Sequence, residues 1–127
     1  MFINFFLKLI TMELVALLSS GKGTWAQVSG LIKQGDWENI VLIGDAFAKN
    51  FTSEKKTEFI QIDFTKGIRE LQKELGEKLK GKISGMEVAL SIASGSGKEH
   101  MALISSLINL PAGIKFTVLT KEGIIYF

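Results

Sequence analysis

The stretch from Met86 to Leu107, MEVALSIASGSGKEHMALISSL, decides how this chain reads. Met86 to Ala93 is an almost unbroken apolar run, the pattern of a parallel strand covered on both faces. Ser94-Gly95-Ser96-Gly97 ends it, and glycine in such a turn opens backbone angles closed to other residues and lets a ligand come near. From Lys98 to Asn109 the apolar spacing becomes helical, with Met101, Ile104, Leu107 and Ile108 expected on one inward face. A strand that passes through a glycine-rich turn into a helix presents free N–H groups and the positive end of the helix dipole to an anion. Lys98 adds a mobile positive charge at the same place. Glycine and serine also build ordinary turns, so the surroundings must supply the meaning. The nucleoside-triphosphatase P-loop does not fit: its first Gly and its Ser or Thr after the Gly-Lys pair are here Ile92 and Glu99.

Upstream, the pattern occurs a second time. Glu13 to Leu18 reads as a buried strand and runs into Ser19-Ser20-Gly21-Lys22-Gly23-Thr24. Thr24 is placed to cap the helix that follows. In that helix Trp25, Val28, Leu31 and Ile32 form one apolar face, and Gly35 stops it. Trp25 reads as core in preference to a base-stacking residue. Asn39 to Ile43 is a short strand followed by Gly44-Asp45. Asp45 can accept a hydrogen bond from a ligand hydroxyl, or cap a short helix from Ala46 to Phe51.

Glu58 to Phe64 is the next strand, with Ile60, Ile62 and Phe64 on one face. Thr65 to about Leu79 is expected to be the longest helix, burying Ile68, Leu71, Leu75 and Leu79. Its other side mixes acids and bases, including the supportive Glu74–Lys78 pair, and reads as a solvated face. Gly81 to Gly85 leads back to the strand at Met86. Beyond the helix from Lys98, Pro111 and Gly113 turn the chain into a strand from Ile114 to Leu119. Thr120-Lys121-Glu122-Gly123 is a hairpin turn, and Ile124 to Phe127 returns antiparallel.

Composition bounds the function. At 127 residues, 46% hydrophobic and 22% charged, the chain fits one globular domain, 12–127, with a real core. A net charge of +2 gives no footprint for duplex nucleic acid. There is no cysteine, which points to a cytoplasmic protein and removes thiolate metal sites, and the single His100 cannot build a multi-histidine centre. No metal site is expected. Residues 1–11, MFINFFLKLIT, are too short to span a bilayer and lack the basic start and cleavage site of a signal peptide. They read as an apolar accessory segment, or as an extension upstream of a start at Met12, and no membrane partner is expected.

The element order predicts an α/β three-layer sandwich. Right-handed crossovers give a mostly parallel sheet of strand order 3-2-1-4-5, with a last strand antiparallel beside the fifth. The order then reverses between the first and fourth strands. Ligands bind outside the carboxyl ends of strands at such a switch point. The two glycine-rich loops, Ser19 to Thr24 and Ser94 to His100, should face each other there.

With that arrangement in view, Ser94-Gly95-Ser96-Gly97-Lys98-Glu99-His100-Met101-Ala102-Leu103 resembles the signature of the CRISPR-associated Rossmann-fold (CARF) domains, a Gly-Gly-Thr-Lys-x-Met-like loop opening a helix. Gly95, Lys98 and Met101 carry the likeness. Ser96 interrupts the glycine pair, and Gly97 stands where Thr or Ser is common. The motif covers about ten residues, and the topology agrees over Met12 to Phe127. The resemblance implies a Rossmann-like homodimer that binds cyclic oligoadenylate, a second messenger of antiviral defence, across its two-fold axis without a cofactor. It implies that Ser19, Ser20, Gly21, Lys22, Gly23 and Thr24 touch the ligand together with Gly95, Ser96, Gly97, Lys98, Glu99 and His100.

Some relatives cleave the ring and are called ring nucleases. Metal-free cleavage by the ribose 2′-hydroxyl needs that oxygen held in line and the developing charge stabilised. Lys98 would stabilise the charge and Ser20 or Ser19 would position the nucleophile. His100 is a proton-transfer group by its intrinsic pKa, although the first turn of a helix disfavours its cationic form. With no effector domain expected after Phe127, a degrading enzyme or a subunit acting through a partner is favoured over a stand-alone sensor. The alternative is a non-enzymatic dimeric module that binds another nucleotide or a protein.

Overall fold

The computed structural model describes residues 12–19, 24–84 and 86–127. The expectations for residues 1–11 and for Ser20, Gly21, Lys22 and Gly23 lie outside the described residues. Strands are β1 (Glu13–Leu18), β2 (Asn39–Gly44), β3 (Glu58–Gln61), β4 (Glu87–Ser91), β5 (Gly113–Thr120) and β6 (Gly123–Tyr126). Helices are α1 (Trp25–Gln34), α2 (Ile68–Leu79) and α3 (Gly97–Ile108), with a 3-10 helix at Phe47–Asn50.

The sheet order is β3-β2-β1-β4-β5-β6, parallel except for the antiparallel β5–β6 pair. The Rossmann-like sandwich expected from the crossover rule is therefore present. β1 lies at the centre, paired with β2 over its whole length and with β4 from Glu13↔Val88 to Ala16↔Ser91. Each residue of β1 is buried, as a strand covered on both faces requires. Val15, Leu17, Val88 and Leu90 face α2 and α3, whereas Leu14, Ala16, Leu18 and Ala89 face α1.

Glu13 puts a carboxylate into this core at the amino end of the sheet. Burying such a group is costly unless it is hydrogen-bonded. It accepts from Asn39 Nδ2 at 3.0 Å and from the Ser84 N–H at 2.8 Å, tying β2 and the α2–β4 connection to β1.

Four expectations about the elements are corrected. β3 ends at Gln61, short of the expected Phe64. β4 is shorter than the apolar run, and Met86, at its foot, is 84% exposed. α2 begins at Ile68 because residues 63–66 form a turn of their own, and Ile68 is exposed at the helix start. In α3 the buried residues are Ala102, Leu103, Ser106 and Leu107, while Met101 and Ile108 are exposed. The cause is α2. Ala102 and Ser106 are small enough to admit it closely, and Ser106 Oγ donates to the Gln72 carbonyl at 2.8 Å. That contact rotates the helix so that its largest outward side chains point away from α2.

The β5–β6 hairpin outruns β4, whose pairing with β5 ends at Leu90↔Phe116. Beyond that point α1 takes the place of a strand. Gln27 Nε2 donates to the Leu119 carbonyl at 3.2 Å, and Gln27 Oε1 accepts from the Leu119 N–H. Among the described residues no helix is long and apolar enough to cross a membrane.

Candidate functional site

The carboxyl ends of β1 and β4 are joined by one hydrogen bond. The Ser19 N–H donates to Ser94 Oγ at 2.7 Å, and Ser94 is 1% exposed. The expected convergence of the two loops thus holds at the residues where both are described. Gly95 follows with φ +101°. A Cβ there would lie 2.4 Å from Leu17 Cδ2 and 2.9 Å from Glu99 Oε1, so the loop folds down onto β1 and onto its own helix.

Ser96 and Glu99 form a capping box at the start of α3, with the Ser96 N–H donating to Glu99 Oε1 at 2.7 Å. The carboxylate thereby neutralises part of the helix dipole while Gly97 and Lys98 remain exposed at the rim. His100 Nε2 lies 2.8 Å from the Ser94 carbonyl oxygen. A ring nitrogen that bonds a carbonyl must carry a proton, so Nε2–H is the donor here. The role this gives His100 is to clamp the turn at Ser94.

Lys98 extends toward the β3–α2 turn, where its Nζ donates to the Phe64 carbonyl at 3.2 Å. That turn was not singled out from the sequence. Asp63 accepts from Thr65 Oγ1 at 2.6 Å and from the Thr65 N–H at 3.0 Å. The Thr65 hydroxyl and then its amide hold the Asp63 carboxyl below its ordinary pKa, with Lys66 and Lys98 adding a smaller pull in the same direction. The spacing Asp63-x-Thr65 is the available sequence signal, since Asp and Thr close local side-chain turns of this kind.

The other flank of the rim is aromatic. Trp25 Nε1–H donates to the Ser19 carbonyl at 2.7 Å, and the ring meets Phe47 and Phe51. Thr24 precedes α1 with helical angles, φ −85° and ψ −11°, and so extends the first turn, where a capping residue would be extended. Asp45 Oδ1 accepts from the Ala48 N–H at 3.0 Å, the capping alternative of the two open to it.

The rim therefore has Ser19 and Ser94 at its centre, Lys98 and the Asp63–Thr65 turn on the α2 side, and Trp25, Asp45 and Phe47 on the α1 side. It brings together Ser19, Gly95, Ser96, Gly97, Lys98, Glu99 and His100. A groove of about 890 Å³ lies away from it, between α2 and α3 toward the amino end of the sheet, lined by Gln72, Lys73, Leu79, Ser106 and Leu110 among others. Among the described residues no three His, Cys, Asp or Glu side chains come together to hold a metal ion. Comparison with protein-family models, with curated proteins and with solved structures returned no match.

Proposed function

We propose that this protein is a cytoplasmic CARF-like domain that binds cyclic oligoadenylate at the carboxyl ends of β1 and β4, on the two-fold axis of a homodimer. The observation that carries this reading is the Ser19–Ser94 hydrogen bond at the switch point, next to the exposed start of α3 with Lys98. Cyclic oligoadenylate bears one negative charge per phosphodiester. Backbone N–H groups at a helix start and a lysine ammonium are suitable partners for it, and charge-assisted hydrogen bonds are the strong kind. Where the protein cleaves the ring, the ribose 2′-hydroxyl loses its proton and attacks the adjacent phosphorus, the bond to the 5′-oxygen of the next nucleotide breaks and that oxygen takes up a proton, and Lys98 stabilises the negative charge that develops on the phosphoryl oxygens.

Dimerisation is supported by a second surface. Met101 and Ile108, with half-buried Ile104, lie on the flank of α3 turned away from α2. Beside them is the open face of the hairpin, where Phe127 stacks on Phe116 and Ile125 pairs with Val118. Met101, Ile108, Ile125 and Phe127 are 62%, 66%, 42% and 71% exposed. Together they present on the order of 450 Å² of apolar side chain, over half of what each partner gives to a standard interface. A two-fold axis alongside α3 would bring two Gly95–Lys98 loops together.

Incubation with labelled cyclic tetraadenylate and hexaadenylate, followed by chromatography, tests the proposal. Saturable binding of either ring is expected. Absence of binding and of product with both rings would leave the fold without this function and favour a module for another nucleotide or for a protein.

A further inference from the structure

The groove of about 890 Å³ between α2 and α3 has a charged wall and an apolar floor. Arg69, Lys73 and Lys80 stand along the α2 wall, and Glu77 offsets one of them. Leu79, Ile83, Leu110 and Ala112 supply the apolar part, from the end of α2 and from the turns that follow the two helices.

The cations of this region fall into two groups. On the outer flank of α2, Lys66 and Lys78 both pair with Glu74, at 2.7 and 3.4 Å, and Lys82 beyond the helix pairs with Glu58 at 2.9 Å. Among the described residues the side chains of Arg69, Lys73 and Lys80 have no hydrogen-bond or ion-pair partner. Arg69 and Lys73 are four residues apart, so two like charges share one helix face, an arrangement that weakens a helix. An anion laid across them removes that repulsion.

Gly76 keeps the wall low between Lys73 and Lys80. It sits inside α2, where glycine is a poor helix former beside alanine, and a Cβ there would meet nothing within 4 Å. No packing contact requires glycine at this position; its effect is to leave the groove open. The Gln72 carbonyl holds Ser106, while the half-buried Gln72 side-chain amide is unbonded among the described residues and faces no competitor for a ligand in the groove.

The spacing of the cations suits a helix. Arg69 and Lys73 are about 6 Å apart along α2, and Lys73 and Lys80 about 10.5 Å, by the rise of an α-helix. Carboxylates at i, i+4 and i+11 of a second helix repeat those intervals, and an apolar stripe beside them would meet Leu79, Ile83 and Leu110. An amphipathic helix laid into a groove is a recurring mode of peptide recognition. Residues 1–11 of this chain are unsuited to the place by charge, because MFINFFLKLIT carries Lys8 and no acid.

We propose that the α2–α3 groove docks an acidic amphipathic helix of a partner protein, about three turns long, whose carboxylates meet Arg69, Lys73 and Lys80. The groove lies away from the Ser19–Ser94 rim, so this docking does not depend on the cyclic oligoadenylate reading.

Fluorescence anisotropy tests it with a labelled helical peptide of glutamate, alanine and leucine, its glutamates on one stripe and its leucines on the next. The same peptide with glutamine for glutamate is the control. The acidic peptide should bind the full chain saturably, and less tightly as NaCl is raised; the glutamine peptide should not bind. Arg69→Gln with Lys73→Gln should weaken binding about tenfold, the loss of two exposed charge pairs. Gly76→Leu should abolish binding without lowering Tm, since the helix gains propensity, and circular dichroism should match the parent protein for both variants. Failure of the acidic peptide to bind, equal binding of the glutamine peptide, or unchanged affinity in either variant would overturn the proposal. So would displacement of the peptide by an equal concentration of single-stranded oligouridylate, which would assign the cations to phosphate.

Discussion

Two glycines of one loop should respond to alanine in opposite directions. Gly95 has φ +101°, a region that a residue with a Cβ enters at a cost of about 1–3 kcal/mol. Its added methyl would also meet Leu17 Cδ2 at 2.4 Å, Glu99 Oε1 at 2.9 Å and His100 Nε2 at 3.2 Å. The Leu17 methyl is the end of a fully buried side chain in β1, so giving way means repacking the core at roughly 1 kcal/mol or more. Together the two effects give about 2–4 kcal/mol, or roughly 8–15 °C in Tm for a chain of this size. Gly97 is the first residue of α3, and a Cβ there meets nothing within 4 Å. Gly97→Ala restricts only the unfolded chain and should stabilise by about 0.4–1 kcal/mol. Thermal and urea denaturation of both variants, each checked for two-state behaviour, measures the contrast. Equal Tm for Gly95→Ala and the parent protein, or a loss in Gly97→Ala as large as in Gly95→Ala, would refute this account of how the loop is held on β1.

Further outcomes follow from the rim and the dimer face. Lys98→Ala should keep the fold and weaken cyclic oligoadenylate binding by the value of a charge-assisted hydrogen bond, roughly 1.5–3 kcal/mol per subunit; isothermal titration reads the loss, and unchanged affinity removes Lys98 from the site. Met101→Asp with Ile108→Asp should yield monomers in sedimentation at micromolar concentration with little change in Tm, because both side chains already face water in the single chain; a parent protein that is monomeric with and without ligand would dispose of the two-fold site. The Asp63 carboxyl should titrate below its ordinary value by NMR and move up in Thr65→Ala. Its folded-state pKa is depressed, so its contribution to stability is complete above the unfolded value, about 3.9, and is lost as pH falls through the folded one. Any ring cleavage should leave 2′,3′-cyclic phosphate ends and survive EDTA; activity restored to a chelated sample by Mg²⁺ or Mn²⁺ would rule out 2′-hydroxyl attack unaided by metal.

The sheet was legible in the sequence because its signals are local and mutually consistent. Buried strands such as Glu13–Leu18 are continuous apolar runs, and the handedness of crossovers orders them with little freedom. The face of α3 was not legible. Met101, Leu103, Ile104, Leu107 and Ile108 leave apolar residues on most of its circumference, so periodicity alone cannot choose the buried stripe. The choice is made by α2, a neighbour distant in sequence that needs the small residues Ala102 and Ser106 at the contact. At the rim, Ser96-x-x-Glu99 is a capping box that spacing alone identifies, yet both residues read first as ligand contacts. Phe64 shows the remaining gap: a backbone carbonyl that receives Lys98 has no sequence signature.

The Gln27 contact has a consequence for how the hairpin opens. Amide exchange is gated by whatever unit must unfold to expose the N–H. In a continuous sheet the Leu119 amide would report on the adjoining strand. Here its acceptor is the side chain of Gln27 on α1, so its exchange clock is set by the helix that begins at Trp25. Loosening the first turns of that helix should speed deuterium uptake at Leu119, while the Gly113 amide, at the end of β5 that runs alongside β4 and bonded to the Met86 carbonyl at 2.8 Å, keeps the pace of the central strands.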